Sequence, residues 1–454
     1  MISDVPAEPQ PTRTDGRLSA PDGRLTTRET AARLGVKPAT VYAYVSRGQL
    51  DRRRGPDGRG STFDPAEVDA LAARSRREAA APPEGPLGRL RTGITLLTQE
   101  ACYYRGVDSR ALAGRYGYEE VADWLWTGEL RPDLRFSAPR PLLAQARRSV
   151  AALSAHAGPT DRLRAAVVAT GAADPLRFRL APSDVTATAR DLLAVLVDVL
   201  PLHGGAGAGA RSERGGDTEE MGADVRPAPG ADSETGSSPA PLAERLWTRL
   251  TDREPDPAGV RALDTALVLL LDHDLAASTL AARVAASSRA HPYAVVSAGL
   301  GALDSPLHGA ASGLAHRMLS EVLDRGDATP VVAAHLRAGH PVPGLGHRLY
   351  EGGDPRAQAL FAALAPLPYA RAALEAARAV SRTAASAANV DLALAVLSVA
   401  AGMPADAGET VFAVARTGGW IAHALEEYAE TPLRLRPRGT YTGPEAGRPV
   451  PEAR

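Results

Sequence analysis

The sequence contains one cysteine, Cys102, and one lysine, Lys37, in 454 residues. A single thiol excludes an intrachain disulfide and suits a reducing, cytoplasmic setting. Aromatic side chains are scarce, at 4%. No uncharged apolar run approaches the ~18 residues needed to span a bilayer, so no transmembrane helix and no membrane partner are expected. The stretch Met1–Ala20 lacks the apolar centre of a secretory signal. Strand signals (alternation, β-branched runs) are few. These absences exclude a secreted disulfide scaffold, a membrane protein and a fibrous protein. The 52 basic and 53 acidic side chains nearly cancel, so net charge names no partner. What is present is an ordinary apolar content of 44%, in a chain long enough for two or three domains and a large core.

The composition is uneven along the chain. Residues 1–22 are rich in Pro, Asp, Arg and Ser without hydrophobic period, and are expected to be a disordered tail. Residues 23–78 form a candidate module: Gly23–Arg77 holds 12 basic and 6 acidic side chains, a local excess of +6. Residues 79–89 are an Ala/Pro/Gly/Glu linker. Helical spacing of apolar residues then runs through 90–203, most plainly in Ser109–Leu130 and Ser183–Leu200. It breaks over 204–240, a Gly/Ala/Ser/Pro/acid-rich stretch that cannot bury enough surface to order itself and is expected to be a disordered insertion. The helical spacing returns at Pro241 and continues almost to Glu430; residues 446–454 are a polar tail.

In the module, Thr26 and Glu29 have capping-box spacing, so a helix should start there, with Ala31, Ala32 and Leu34 inward and Gly35 as its stop. Pro38 suits the first turn of a second helix whose inward face is Val41 and Val45. That helix would expose Lys37, Thr40, Tyr44 and Arg47. Arg52–Arg54 and Arg59 fall in a Gly-rich stretch able to form a small wing, and Asp64 would cap a third helix over 64–73. The stretch resembles winged helix-turn-helix modules of the MerR and excisionase type. That resemblance implies DNA binding, with arginines on phosphates and the second helix on bases; a module retained only for packing or oligomerisation is the alternative.

Of ten histidines, eight lie beyond residue 250. Histidine suits proton transfer near neutral pH, but local setting matters more than number. His308 stands in Ser305-Pro306-Leu307-His308-Gly309, at a loop or helix end. His347 stands in Pro343-Gly344-Leu345-Gly346-His347-Arg348-Leu349-Tyr350, a turn whose glycines let a ligand approach the backbone. Asp354-Pro355-Arg356 follows in what reads as one short loop. In Asn389-Val390-Asp391 a carboxylate precedes the apolar helix 392–401, where Asp391 equally suits an N-cap.

Taken in order, PLHG, GLGHRLY…DPR and NVD resemble the citrate synthase family. So do Asp272–Ser287 (DHDLAASTLAARVAAS), Val411–Glu427 (VFAVARTGGWIAHALEE), Arg436-Pro437-Arg438 with Tyr441 and Gly443, and, nearer the start, Tyr104-Arg105-Gly106 and Glu120–Leu130. The resemblance spans about Gly93–Gly443. It implies a mostly all-α fold of two helical domains behind the winged helix-turn-helix module: a large domain from 90–203, 241–308 and 404–445, and a small domain over 309–403.

The resemblance also implies a chemistry. Acetyl-CoA, or propionyl-CoA in a 2-methylcitrate variant, would condense with oxaloacetate, and the CoA thioester would serve as co-substrate with no tightly bound cofactor and no metal. Asp391 would be the base that removes the methyl proton, His308 the donor to the thioester oxygen, and His347 the residue that polarises the ketone. His273, Arg356 and Arg416 would bind carboxylates, arginine being favoured for its planar fork. Arg436 would complete the site of a neighbouring subunit, which implies a homodimer. CoA would lie along Pro343, Gly344, Leu345 and Gly346. Without the resemblance, Arg416 reads as a surface ion-pair partner, and His423 and Trp420 as packing residues. The chain departs from the family pattern at Ala276 and Ser312, where asparagine is usual, at Ala388, where proline is usual, and at Leu392 and Ala393, where small polar residues are common. An altered support shell and a DNA-binding module together suit a different reading, a regulator that senses a metabolite.

Overall fold

The computed structural model describes residues 24–34, 36, 38–46, 50–54, 60–71, 90–203, 239–305, 308–436, 440 and 442–443. The tail 1–22, the linker 79–89, most of the insertion 204–240, Lys37, Arg47, Arg59, the Pro437-Arg438 pair and the tail 446–454 lie outside the described residues. The chain divides into two units, 1–90 with 437–454, and 91–436.

In the first unit, β1 (Leu25–Thr26) leads into α1 (Thr27–Leu34). The capping box forms as its spacing predicts. Glu29 accepts the Thr26 amide at 2.8 Å, and Thr26 Oγ1 accepts the Glu29 amide at 3.3 Å. Next come α2 (Pro38–Ser46), β2 (Arg52–Arg54), β3 (Ser61–Phe63) and α3 (65–71). The antiparallel pairing Arg52↔Phe63 to Arg54↔Ser61 builds the wing, and β3 lies between β1 and β2. Asp64 caps α3 by accepting the Ala66 amide at 2.8 Å. Ala31, Val41, Leu50, Phe63, Val68 and Leu71 form the small core.

The second helix corrects one expectation. Thr40 is half-buried, and Tyr44 is half-buried against the small core, because positions three and four apart share a helix face and Tyr44 follows Val41. The exposed aromatic of α2 is Tyr42.

The second unit opens with an antiparallel meander, β4 (Thr95–Leu97), β5 (Cys102–Tyr104) and β6 (Val107–Asp108). This lies in a stretch whose sequence reads as helical; strands of two or three residues are too short to show a period of two. Cys102 is buried and unpaired. Helices follow: α4 (Ser109–Arg115), α5 (Tyr118–Thr127), α6 (Arg140–Ala151), α7 (Pro159–Ala173) and α8 (Pro182–Asp198). After the insertion come α9 (Leu242–Leu250), α10 (Pro257–Leu270), α11 (Ala277–Ser287) and α12 (Pro292–Leu303). The remainder are α13 (Ala311–Arg325), α14 (Ala328–Arg337), α15 (Pro355–Leu364), α16 (Arg371–Thr383), α17 (Val390–Ala400) and α18 (Ala407–Ala429).

The centre of this unit is α18, buried around most of its circumference from Ala407 to Ala424 and packed against α5, α8, α10, α11 and α12. A helix apolar on all sides belongs in a core. At Gly419 a β-carbon would stand 2.2 Å from the Leu271 carbonyl oxygen, so only glycine lets the end of α10 seat on α18. That contact places the turn after α10, with Asp272 and His273, beside Arg416. Trp420 is fully buried, as a packing residue should be. Among the described residues no helix is long and apolar enough to cross a membrane.

Candidate active site

Three turns and three helices bring the predicted residues together. The first turn, after α10, is held by Tyr104. Its hydroxyl lies 3.1 Å from the Val268, Leu269 and Asp272 carbonyl oxygens and accepts the Asp272 amide at 3.3 Å. His273 emerges from this turn, its Nε2 2.9 Å from Tyr350 Oη.

The second turn carries His347. Gly344 and Gly346 both have positive φ, and a β-carbon on Gly344 would stand 2.7 Å from Leu392 Cβ. The glycine therefore lets the loop lie directly on the start of α17. Gly346 donates to the Ala387 carbonyl at 2.8 Å, and the Gly344 carbonyl accepts from Asn389 at 2.9 Å. His347 and Asp391 are thereby held on adjoining segments. The His347 ring stacks on Tyr350 at 4.6 Å and meets His273 edge-on at 5.5 Å.

The third turn precedes α13 and carries His308. Its Nε2 is 2.9 Å from Ser278 Oγ, in the first turn of α11, and its ring is edge-on to Phe412 at 5.6 Å. The guanidinium of Arg416 lies over the same Phe412 ring at 4.6 Å.

Two local readings change. Asp391 does not cap α17; Asn389 does, accepting the Asp391 and Leu392 amides at 2.9 and 3.4 Å. Helix α17 starts one residue before Asp391, so the carboxylate is left out of the cap. Asp354-Pro355-Arg356 is not a loop either. Asp354 caps α15 and Arg356 sits in its first turn.

Charge and burial then define the cluster. Arg356 is 3% exposed and forked onto Asp354, with Nε–Oδ1 at 3.0 Å and Nη2–Oδ2 at 2.8 Å. Burial opposes ionisation of Asp354, but Arg356 overcomes it and holds that carboxyl below its usual range. Arg356 Nη2 also lies 3.5 Å from His347 Nε2. Arg416 is 1% exposed rather than a surface ion-pair partner. Its Nε donates to the Leu270 carbonyl at 2.9 Å, and among the described residues its buried Nη1 has no hydrogen-bond partner.

The histidines are held neutral. Burial, then Arg356 and Arg416, pushes His273 well below its usual pKa. Burial and Arg416 lower His308, and burial and Arg356 lower His347. Burial pushes Asp391 up to about 6, against the pull of Arg356.

Tyr350, Ser278, Phe412 and Asp354 join the cluster without having been singled out. All lie inside the quoted motifs; Asp354 is the one carboxylate among them, and its fork onto Arg356 gives it a structural partner. Arg436 is exposed, and among the described residues its side chain makes no hydrogen bond or ion pair. His316 is structural, with Nε2 3.1 Å from the Met403 carbonyl oxygen. His423 is fully buried between Asp272 and Arg283, at 3.3 and 2.9 Å.

Residues 87–438 match the family described as citrate synthase, C-terminal domain. The chain belongs to the citrate synthase family. Residues 24–76 match a helix-turn-helix domain. Among relatives, citrate synthase 2 of Bacillus subtilis is 36% identical over 217 residues, 46% of this chain and 58% of the relative. The chain thus spans little more than half the length of the curated citrate synthases it resembles at this level. The 2-methylcitrate synthase 2 of Corynebacterium glutamicum is 28% identical over 367 residues, 75% of this chain and 88% of the relative. In three dimensions the chain is similar to the citrate synthase of Pyrobaculum aerophilum, with a TM-score of 0.63, 25% identity, and 80% of this chain and 93% of that chain covered.

Proposed function

We propose that the chain condenses acetyl-CoA with oxaloacetate and releases citrate and CoA, with propionyl-CoA and 2-methylcitrate as the close variant. Asp391 carries this reading: a largely enclosed aspartate, spared from helix capping, that ionises at about 6 beside a buried arginine. A carboxylate can remove a proton next to a thioester only if the enolate oxygen is stabilised at the same moment. With Ser278 Oγ, 2.9 Å away, as the donor to His308 Nε2, the proton of the neutral ring is on Nδ1, which serves as the donor to the enolate oxygen. Leu349 N–H donates to His347 Nδ1 at 3.1 Å, the shorter of the ring's two contacts with donors (Arg356 Nη2 is 3.5 Å from Nε2), so the His347 proton is on Nε2. His347 Nε2–H and Arg356 Nη2 are then two neighbouring donors for the ketone oxygen or an adjacent carboxylate.

The enol carbon attacks the ketone carbon, the alkoxide takes up a proton, and water cleaves the resulting thioester to release the CoA thiol. Arg416 Nη1 and His273 bind the carboxylates of the 2-oxo acid. Leu345 and its flanking glycines line the CoA path. Arg436 reaches a second subunit in a homodimer, in keeping with its exposure.

The test is release of CoA thiol from purified protein with oxaloacetate and either thioester. Turnover is expected, and Asp391→Asn should lose it at least 100-fold while still binding oxaloacetate by calorimetry. No thiol release with either thioester, or full activity in the variant, contradicts the reading.

A second reading concerns the module and is compatible with the first. Arg52, Arg53 and Arg54 are all exposed on one strand of the wing, as phosphate contacts require. The full chain should retard a mixed-sequence duplex in a salt-sensitive manner, and Arg52–Arg54 changed to serine should weaken it. A salt-independent shift, or an unchanged one in the variant, argues against DNA binding.

A further inference from the structure

The two histidines nearest Arg356 share one neighbour that the mechanism leaves without a task. Tyr350 is 1% exposed, its hydroxyl lies 2.9 Å from His273 Nε2, and its ring lies 4.6 Å from that of His347 at an interplanar angle of 28°. The His273 and His347 rings stand almost perpendicular, at 87°. One side chain therefore meets one histidine through its hydroxyl and the other through its face.

We propose that Tyr350 is a positioning residue: its hydroxyl fixes the His273 tautomer so that Nδ1–H faces a carboxylate of the 2-oxo acid, and its ring sets the plane of His347. This rests on the condensation reading above. A neutral imidazole has one N–H and one lone pair. A phenol has one proton to give, and burial keeps the Tyr350 hydroxyl protonated well beyond neutral pH. Among the described residues, His273 is the only hydrogen-bond partner of that hydroxyl. When it donates to Nε2, the His273 proton must be on Nδ1. The opposite tautomer would turn a lone pair toward an anion and repel it. The Arg356 guanidinium, 5.8 Å from the Tyr350 ring centre, adds positive charge on the same side, so the seat favours an anion once the tautomer is set.

Two substitutions separate the hydroxyl from the ring. Tyr350→Phe keeps the stack and removes the donor. It should raise KM for oxaloacetate on the order of ten-fold, the effect of one lost hydrogen bond to a buried polar group, with a smaller change in kcat and none in KM for acetyl-CoA. Tyr350→Leu removes the stack as well and should show the same rise in KM plus a fall in kcat on the order of ten-fold. An unchanged oxaloacetate KM in Tyr350→Phe, or equal kcat losses in both variants, overturns the proposal. Oxaloacetate titration calorimetry on the parent chain and Tyr350→Phe judges it independently of turnover. Ten-fold weaker binding in the variant supports the assignment even if the parent releases no thiol, which would count against the condensation reading alone; equal binding overturns it.

Discussion

Asp391 ionises at about 6 because burial penalises its charge more than Arg356 rewards it. If Asp391 is the base of the proposed condensation it must be anionic, so kcat/KM should fall about ten-fold per pH unit below that value. His308 and His347 are lowered, chiefly by burial, which favours their neutral forms. The same carboxyl has a consequence for stability. Its folded-state pKa is raised above the ordinary 3.8, so ionised Asp391 costs stability above pH 6, and the cost disappears as pH falls below 4. Asp391→Asn should therefore stabilise the protein by roughly 2–3 kcal/mol at pH 7.5 and hardly at all at pH 4, read from urea midpoints. A variant less stable than the parent at pH 7.5 would contradict the assigned burial. The acid–base residue types were legible in sequence. Which one escapes capping was not, because Asn389 and Asp391 are both good caps and only the helix start decides between them.

At the scale of elements, helix ends were mostly readable where a capping residue stands in the right frame. Thr26 with Glu29 and Asp64 behave as their spacing predicts. Asp354-Pro355 reads as a loop, yet proline suits the first turn of a helix and Asp354 caps α15. Helix α11 has the opposite character. Its N-cap is Ala276, in extended geometry with φ −57° and ψ 160°, and offers no side-chain acceptor. Ala276→Asn should stabilise the protein by about 1 kcal/mol, measured as a higher urea midpoint with unchanged slope. No gain would mean the α11 amides already have partners. Ser312, another departure from the family pattern, is buried beside Gly408, its hydroxyl unpaired among the described residues. The meander over 95–108 was illegible for a plain reason: strands of two or three residues are too short to repeat a pattern.

Across the molecule, one buried polar chain crosses behind the site. Thr95 donates to Asp272, His423 Nε2 reaches the same carboxylate, and Arg283 Nη1 points at His423 Nδ1. Because guanidinium nitrogens only donate, His423 Nδ1 must accept, and its proton is on Nε2 facing Asp272. Burial opposes the Asp272 charge, but His423 and Arg416 outweigh it and keep that carboxyl below its usual range. Arg283 continues to Glu427, 3.1 Å away, and Glu427 also accepts from Arg434 at 2.7 Å. Glu427 and Arg283 are both fully buried. Glu427→Gln leaves Arg283 with Glu426 alone, at 2.8 Å, and Arg434 with the more distant Glu430, and should cost about 1–3 kcal/mol in urea or thermal unfolding. A loss under 1 kcal/mol would mean the network contributes little. From the sequence, His423 reads only as a packing residue. The packing is correct, but the ionic partners come from segments some 140 residues away in the chain.

By itself the sequence determined the helical body, the capped basic module, and the set of acids, histidines and arginines able to do this chemistry. Those follow from spacing and residue type, which are local. Tertiary structure decided the rest. It buried Arg416 with a free Nη1, bridged two histidines with Tyr350, and pushed Asp391 toward neutrality. Desolvation and proton placement depend on which distant groups converge, and convergence is a property of the fold.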